Sequence, residues 1–377
     1  MAMTRILVVY QHLPHYRRDI FHRLDSLATA DFVFLASAKG EGGISVLGDG
    51  DVRHFKPAPY KKFGSLMIQP RAVREVMASK YDVVIALGDP HYLTTWILAV
   101  ICLVRGVPVA FWTHGWTRHQ RTFKSFLKNV FFRLPNHLLL YSERAKAIGK
   151  LYGFPESQMT TIYNSVPGSN CDRPGEFSEV RGRLSSFIAS NSGPFVGAVI
   201  RLRKEKRLDL LVEAVSIARR SDPRLSNLAV VLAGDGPARN SLEALASNAG
   251  VPALFLGEVY GDSSLAAIYD ALSLTVVPDK VGLTAIQSLS FGVPVITHSD
   301  LNQQMPEVEA IVEGRTGFLF DSGQPDSLSD ALIRGLAVCQ TSGSDLVEQC
   351  RSEVAEKWNA EVQLTAILGA IRKMMGS

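Results

Sequence analysis

The chain has 377 residues, 46% hydrophobic and 20% charged, which is enough for two domains with buried cores and too apolar for a disordered chain. Its formal net charge of +4 is too mild for a nucleic-acid binder, and no zinc-finger or RNA-binding signature accompanies it. The cysteines at 102, 171, 339 and 350 lack metal-ligand spacing and read as reduced thiols; with no leader peptide and no bilayer-spanning run, the expected location is cytoplasmic.

Ile6–Tyr10 predicts a first strand, followed by the loop Gln11–Tyr16 and a helix near Arg17–Leu27. Phe32–Ala36 predicts a second strand, and Gly40–Asp51, rich in glycine and polar residues, a mobile loop. A helix at Val73–Lys80, a strand at Val83–Leu87 and a buried helix at Tyr92–Arg105 follow. Val107–Thr113 reads as a strand ending in His114-Gly115-Trp116. Leu138–Tyr141, the helix Ser142–Tyr152 and the strand Thr160–Tyr163 complete this half. Strands alternating with helices imply a parallel, doubly wound sheet.

Gly168–Glu176 carries Pro, Gly, Asn and Asp and reads as a linker. A second series follows, with strands at Phe195–Ile200, Leu228–Ala233, Ala253–Leu256, Leu272–Val277 and Pro294–His298. Helices lie near Leu208–Arg220, Arg239–Gly250, Leu265–Ala271, Leu283–Phe291 and Ser327–Ala337, and one long helix is expected at about Glu348–Met374. Two such sheets in one chain predict a cleft between domains, with ligands at the strand C-termini.

Val276–Thr297 reads VVPDKVGLTAIQSLSFGVPVIT: a strand, a tight loop and a helix N-terminus, an arrangement that suits an anion. Its Asp279, Gln287, Gly292, Pro294, Val295 and Ile296 resemble the Glu-x7-Glu and Gly-x-Pro-Val-Ile signature of retaining glycosyltransferases of family 4, which have the GT-B fold. Both family glutamates are replaced. The resemblance extends to GAVIRLRKEKRLDLLVEA, where Arg201 and Lys206 fall on the family's Arg and Lys, while Ile200 and Arg207 replace its two glycines.

The resemblance implies an α/β fold of two Rossmann-like parallel-sheet domains facing a cleft, with the C-terminal helix crossing back to the first domain. It divides the chain into an acceptor-side domain, 1–170 plus the helix at about 358–377, a linker at 171–190, and a nucleotide-sugar-binding domain at 191–357. Arg201 and Lys206 then neutralise a diphosphate leaving group, because a guanidinium fork and an ammonium at a strand end can meet one phosphate pair. Asp279 faces the transferred sugar and Gln287 the ribose, and the Gln costs the charge-assisted grip of a carboxylate, roughly 1–2 kcal/mol. Amides of Val281, Gly282 and Leu283 hold phosphate, Gly234 lies in the family's Gly-x-Gly-Pro turn, and Gly257, Glu258 and Val259 match its base-holding loop.

On the acceptor side, His114 faces the donor sugar, and His15, Tyr16 and Arg17 face the acceptor, where relatives carry a glycine-rich clamp that is absent here. Residues 118–134 place Phe123, Phe126, Leu127, Val130, Phe131 and Leu134 on one helical face, with Arg118, Arg121, Lys124, Lys128 and Arg133 and no acid. That stretch suits peripheral association with an anionic membrane, unless the stripe packs on the sheet. Asp49-Gly50-Asp51 resembles the metal-binding Asp-x-Asp of another glycosyltransferase fold but reads as a turn, so no metal and no cofactor are expected. The expected activity is retaining transfer from a UDP- or GDP-sugar to a glycan or lipid-linked glycan in cell-surface polysaccharide assembly, on the cytoplasmic face of the membrane. A nucleotide-sugar 2-epimerase of the same fold and a non-catalytic partner subunit are the alternatives.

Overall fold

A computed structural model describes residues 3–41, 45–166 and 175–376. The chain divides into two compact units, Met1–Pro167 with Asn359–Ser377, and Gly168–Trp358.

The N-terminal unit is built on one sheet of β1 (Thr4–Val9), β2 (Ala30–Ala36), β3 (Phe55–Pro57), β4 (Val83–Leu87), β5 (Val109–Thr113), β6 (His137–Leu140) and β7 (Met159–Thr161). Its spatial order is β7-β6-β5-β4-β1-β2-β3, and every pairing is parallel. The inner strands β1, β2, β4, β5 and β6 are largely apolar on both faces because helices cover both, as a parallel sheet requires. Helix α1 (Arg18–Asp25) covers one face through Ile20, Phe21 and Leu24. Helices α2 (Pro70–Ala78), α3 (Leu93–Arg105), α4 (Phe123–Phe132) and α5 (Glu143–Leu151) cover the other. The chain runs outward from β1 in one direction and from β4 in the other, so the loops after these two strands diverge and leave a crevice at their carboxyl ends.

The second unit repeats this plan with β8 (Phe195–Val199), β9 (Ala229–Ala233), β10 (Ala253–Gly257), β11 (Leu274–Val276), β12 (Val295–His298) and β13 (Gly317–Phe320). The order β10-β9-β8-β11-β12-β13, again all parallel, puts the switch point between β8 and β11. The helices are α6 (Glu176–Ser190), α7 (Leu208–Ser221), α8 (Arg239–Asn248), α9 (Asp262–Ala271), α10 (Leu283–Ser290), α11 (Pro325–Thr341) and α12 (Gly343–Lys357). One face carries α7, α8 and α11, the other α6 and α9.

Several expectations change. The stretch 171–190 is not all linker: α6 buries Val180 and Leu184 against α9 and the sheet, and Arg183 donates to the Phe255 and Leu256 carbonyls at 2.6 and 2.9 Å. Cys171 and the rest of 167–174 lie outside the described residues. The single C-terminal helix is two, α12 and α13 (Ala360–Met375), because Asn359 leaves helical geometry and caps the amides of Glu361 and Val362 at 3.0 Å each. Trp358 is fully buried at the break, and α13 packs on α1 in the N-terminal unit. The loop Gly40–Asp51 is partly structured: Val46–Leu47 pairs antiparallel with Leu13–Pro14. Its Asp51 accepts from the Gly48 amide at 2.8 Å, a turn.

Candidate active site

At the second unit's switch point, the loop after β8 meets the loop after β11. Lys206, half-buried, donates from Nζ to the Lys280 carbonyl at 3.1 Å. Burial lowers its pKa, and the adjacent Asp279 carboxylate opposes that shift. Two residues 73 positions apart therefore share one patch, a carboxylate beside an ammonium. Arg207, where the family it resembles has glycine, adopts a left-handed φ of 50° and pairs with Asp209, so a non-glycine residue holds this conformation at the cost of local strain. Arg201 is exposed at the end of the strand segment that precedes this loop.

The Asp279–Leu283 segment is held from below. Buried Gln304 accepts from the Val281 amide at 2.9 Å and donates to Thr297 Oγ1 and the His298 carbonyl at 2.9 and 3.0 Å. Thr297 in turn shares its hydroxyl proton between the Val277 carbonyl at 2.9 Å and the Asp279 carbonyl at 3.2 Å. This corrects the expectation for Val281: its amide is committed to Gln304, which leaves Gly282 and Leu283 to present the first amides of α10. Gln287, one turn inside α10, accepts from the buried Tyr269 hydroxyl at 3.2 Å, which fixes its amide plane.

The glycines answer to the protein's own backbone. A Cβ on Gly234 (φ +128°) would stand 2.0 Å from the Ile200 carbonyl oxygen, and one on Gly236 (φ +156°) 2.3 Å from that of Leu202. The turn after β9 is thus pressed against the Arg201 loop, and close packing alone demands glycine there. The Gly257 carbonyl accepts from the Gly234 amide at 2.6 Å, and Glu258 accepts from the Tyr260 hydroxyl at 2.9 Å. The carbonyl of Gly257 and the carboxylate of Glu258 are therefore already engaged, while Val259 is half-buried beside them.

In the N-terminal unit a pocket of about 830 Å³ opens at the carboxyl ends of β1, β4, β5 and β6. Arg17, Asp89, His114, Lys124, Lys128 and Tyr141 line it. Arg17 is buried, donates to the Tyr10 hydroxyl at 2.9 Å, and lies 4.9 Å from the Tyr141 ring centroid. The Tyr141 ring also meets His114, centroids 4.7 Å apart. His114 stays open to the pocket, but the concave wall around it, reinforced by the Arg17 and Lys128 cations, brings its pKa down to about 4. The imidazole is neutral at physiological pH, a hydrogen-bonding group rather than a charge. Burial also lowers the Lys128 pKa, opposed by Asp89.

Two of the three residues expected on the acceptor side, Tyr16 and Arg17, therefore share a pocket with His114. His15 does not: its ring is exposed and pairs with the Ser45 carbonyl at 3.2 Å. Sequence reasoning missed Tyr10, Asp89 and Tyr141 as pocket residues, although each stands at the carboxyl end of a predicted strand. It read Lys124 and Lys128 only as surface charge. Among the described residues, no group of three or more His, Cys, Asp or Glu is clustered as for a metal ion.

Comparison with known proteins agrees with this division. Residues 28–168 match the model of Glycosyltransferase Family 4 and residues 186–338 that of Glycosyl transferases group 1. A sulfoquinovosyl transferase of Arabidopsis thaliana is 27% identical over 328 residues, covering 82% of this chain and 61% of that protein. A D-inositol 3-phosphate glycosyltransferase of Actinosynnema mirum is 30% identical over 181 residues, covering 45% and 42%. The chain thus spans about three-fifths or less of these relatives' own lengths. Among solved structures, Anabaena HepE in complex with UDP-glucose superposes with a TM-score of 0.68 at 16% identity, covering 97% of this chain and 99% of that one. A glycosyltransferase from Rickettsia africae superposes with a TM-score of 0.72 at 15% identity, covering 100% and 99%. Each sheet is thus matched by its own glycosyltransferase family model, and the two-sheet plan is the GT-B fold shared with these solved structures.

Proposed function

We propose that this protein transfers a sugar from a UDP- or GDP-sugar to a hydroxyl of a glycan or lipid-linked glycan, with retention at the anomeric carbon and without a metal ion. The observation that carries this reading is Lys206 held beside Asp279 at the switch point of the second sheet. Two relatives add support: HepE was solved with UDP-glucose, and a Mycolicibacterium smegmatis protein, 24% identical over 178 residues, is named for mannosyl transfer from GDP-mannose to a phosphatidylinositol monomannoside.

In this reading Arg201 and Lys206 neutralise the diphosphate as the bond from C1 to its oxygen breaks. The amides of Gly282 and Leu283 add partial positive charge at the helix start. Asp279 accepts from hydroxyls of the transferred sugar, Gln287 binds the ribose, and the loop at Gly257–Val259 borders the base. The acceptor oxygen bonds to C1 on the face the diphosphate leaves, and its proton passes to the departing phosphate oxygen, so no protein nucleophile is needed. Neutral His114 hydrogen-bonds the transferred sugar or the departing phosphate, and the N-terminal pocket beside it holds the acceptor.

A melting-temperature screen of UDP, GDP and ADP, followed by product analysis, tests the proposal. Stabilisation by one nucleotide and transfer with retained configuration support it. Stabilisation by none removes it, and release of free nucleotide with an epimerised sugar replaces it with epimerase chemistry.

A further inference from the structure

Two helices of the N-terminal unit turn apolar stripes toward water. On α4, Phe123, Phe126, Leu127 and Val130 are 74, 60, 44 and 37% exposed at i, i+3, i+4 and i+7. On α3, Ile97, Val100, Leu103 and Val104 are 38, 51, 71 and 82% exposed. A stripe with this spacing normally faces a core. Here the core is served by other residues, Leu98, Ala99 and Cys102 of α3 and Phe131 and Phe132 of α4. The two helices cover the same face of the sheet and touch where Trp96 meets Phe131, ring centroids 4.8 Å apart. Of the six residues of the predicted stripe, only Phe131 is fully buried and Leu134 partly, so packing on the sheet does not account for it.

Charge identifies what covers this face. Between Asp89 and Glu143 the sequence has no acidic residue, while Arg105, Arg118, Arg121, Lys124, Lys128 and Arg133 fall within that span. A protein partner would need matching acids around an apolar centre, whereas a bilayer with anionic headgroups supplies both features over any area. Lys124, Leu127 and Lys128 also line the 830 Å³ pocket, so the apolar stripe runs into the pocket wall.

We propose that the α3–α4 face docks on an anionic lipid bilayer, seating the exposed phenylalanines and aliphatic side chains at the acyl boundary. Lys124 and Lys128 then stand among the headgroups at the pocket mouth, and a membrane-resident acceptor reaches the pocket without leaving the bilayer. This rests on the reading of that pocket as the acceptor site. Apolar burial and cation attraction together supply the two signals that stable surface attachment requires.

The test is co-sedimentation of the full chain with vesicles of phosphatidylcholine alone or mixed with phosphatidylglycerol, at low and high salt. The wild type binds the mixed vesicles, leaves them as salt rises, and ignores phosphatidylcholine alone. Lys124→Gln with Lys128→Gln lowers the partition coefficient by about 30-fold, from roughly fivefold per basic residue. Leu103→Ser, Val104→Ser, Phe123→Ser and Phe126→Ser together abolish binding; Phe123→Ser alone, which touches no core, weakens it if the quadruple variant misfolds. Equal binding to both vesicle types, binding to neither, or wild-type binding by the serine variants overturns the proposal. Nucleotide stabilisation is read on the same samples. Its absence beside intact vesicle binding would count against the transferase reading and leave the docking surface standing.

Discussion

In the proposed reaction, Lys206 is the residue on which the donor-side chemistry turns. Its Nζ donates to a backbone carbonyl, so removing it costs the fold little, whereas in that reaction removing the cation from a leaving diphosphate costs much more. Lys206→Ala is expected to lower kcat by about 100-fold or more, and to move the melting temperature by no more than about 4 °C. Wild-type turnover in that variant would remove the phosphate role. Gly234 carries the opposite balance. With φ +128° and a carbonyl oxygen 2.0 Å from where its Cβ would lie, Gly234→Ala is expected to cost at least about 2 kcal/mol in urea unfolding. These two residues also show why residue roles were unevenly legible. The sequence set Lys206 and Asp279 in recognisable motifs, but it could not show whether a glycine serves a ligand or a neighbouring carbonyl. Nor could it show that the Val281 amide is taken by Gln304, because that partner comes from a loop 23 residues away.

At the scale of elements, β6 carries a buried imidazole. His137 is 2% exposed, pairs with Thr160 Oγ1 at 2.8 Å, and has its pKa brought down to about 4, first by burial and then by Lys373 of α13. The folded state binds this proton less readily than the unfolded chain. Its contribution is therefore fully present above pH about 6.5 and is lost as pH falls toward 4. Between pH 7.5 and 5 the expected loss from this residue is about 2 kcal/mol, and His137→Gln should show a correspondingly flatter dependence in urea melts at the two pH values. Elements with strong apolar runs, such as β1, β4 and β9, were legible because a parallel sheet buried on both faces needs uninterrupted aliphatic strands. Helix α6 was not, because it buries only Val180 and Leu184 and follows a Pro- and Gly-rich run. The α12–α13 break was hidden for a related reason: neither Pro nor Gly marks it, only a capping Asn359 inside an otherwise helical pattern.

For the molecule as a whole, the proposed donor binding predicts a linked gain in stability. The cognate nucleotide at about 100 times its Kd should raise unfolding free energy by about 2.7 kcal/mol, and a chelator should leave the transfer rate unchanged. The paired-sheet plan was readable because strand and helix periods alternate through both halves, while the N-terminal pocket was not, since its walls gather from β1, β4, β5, β6 and α4. The placement of α13 has a further consequence. Helix α13 completes the core of the amino-terminal unit. On the ribosome, the amino-terminal unit stays uncovered beside α1 until Ala360–Met375 has emerged. Deleting 360–375 would therefore surface as a defect of the amino-terminal unit, with the intervening unit left whole.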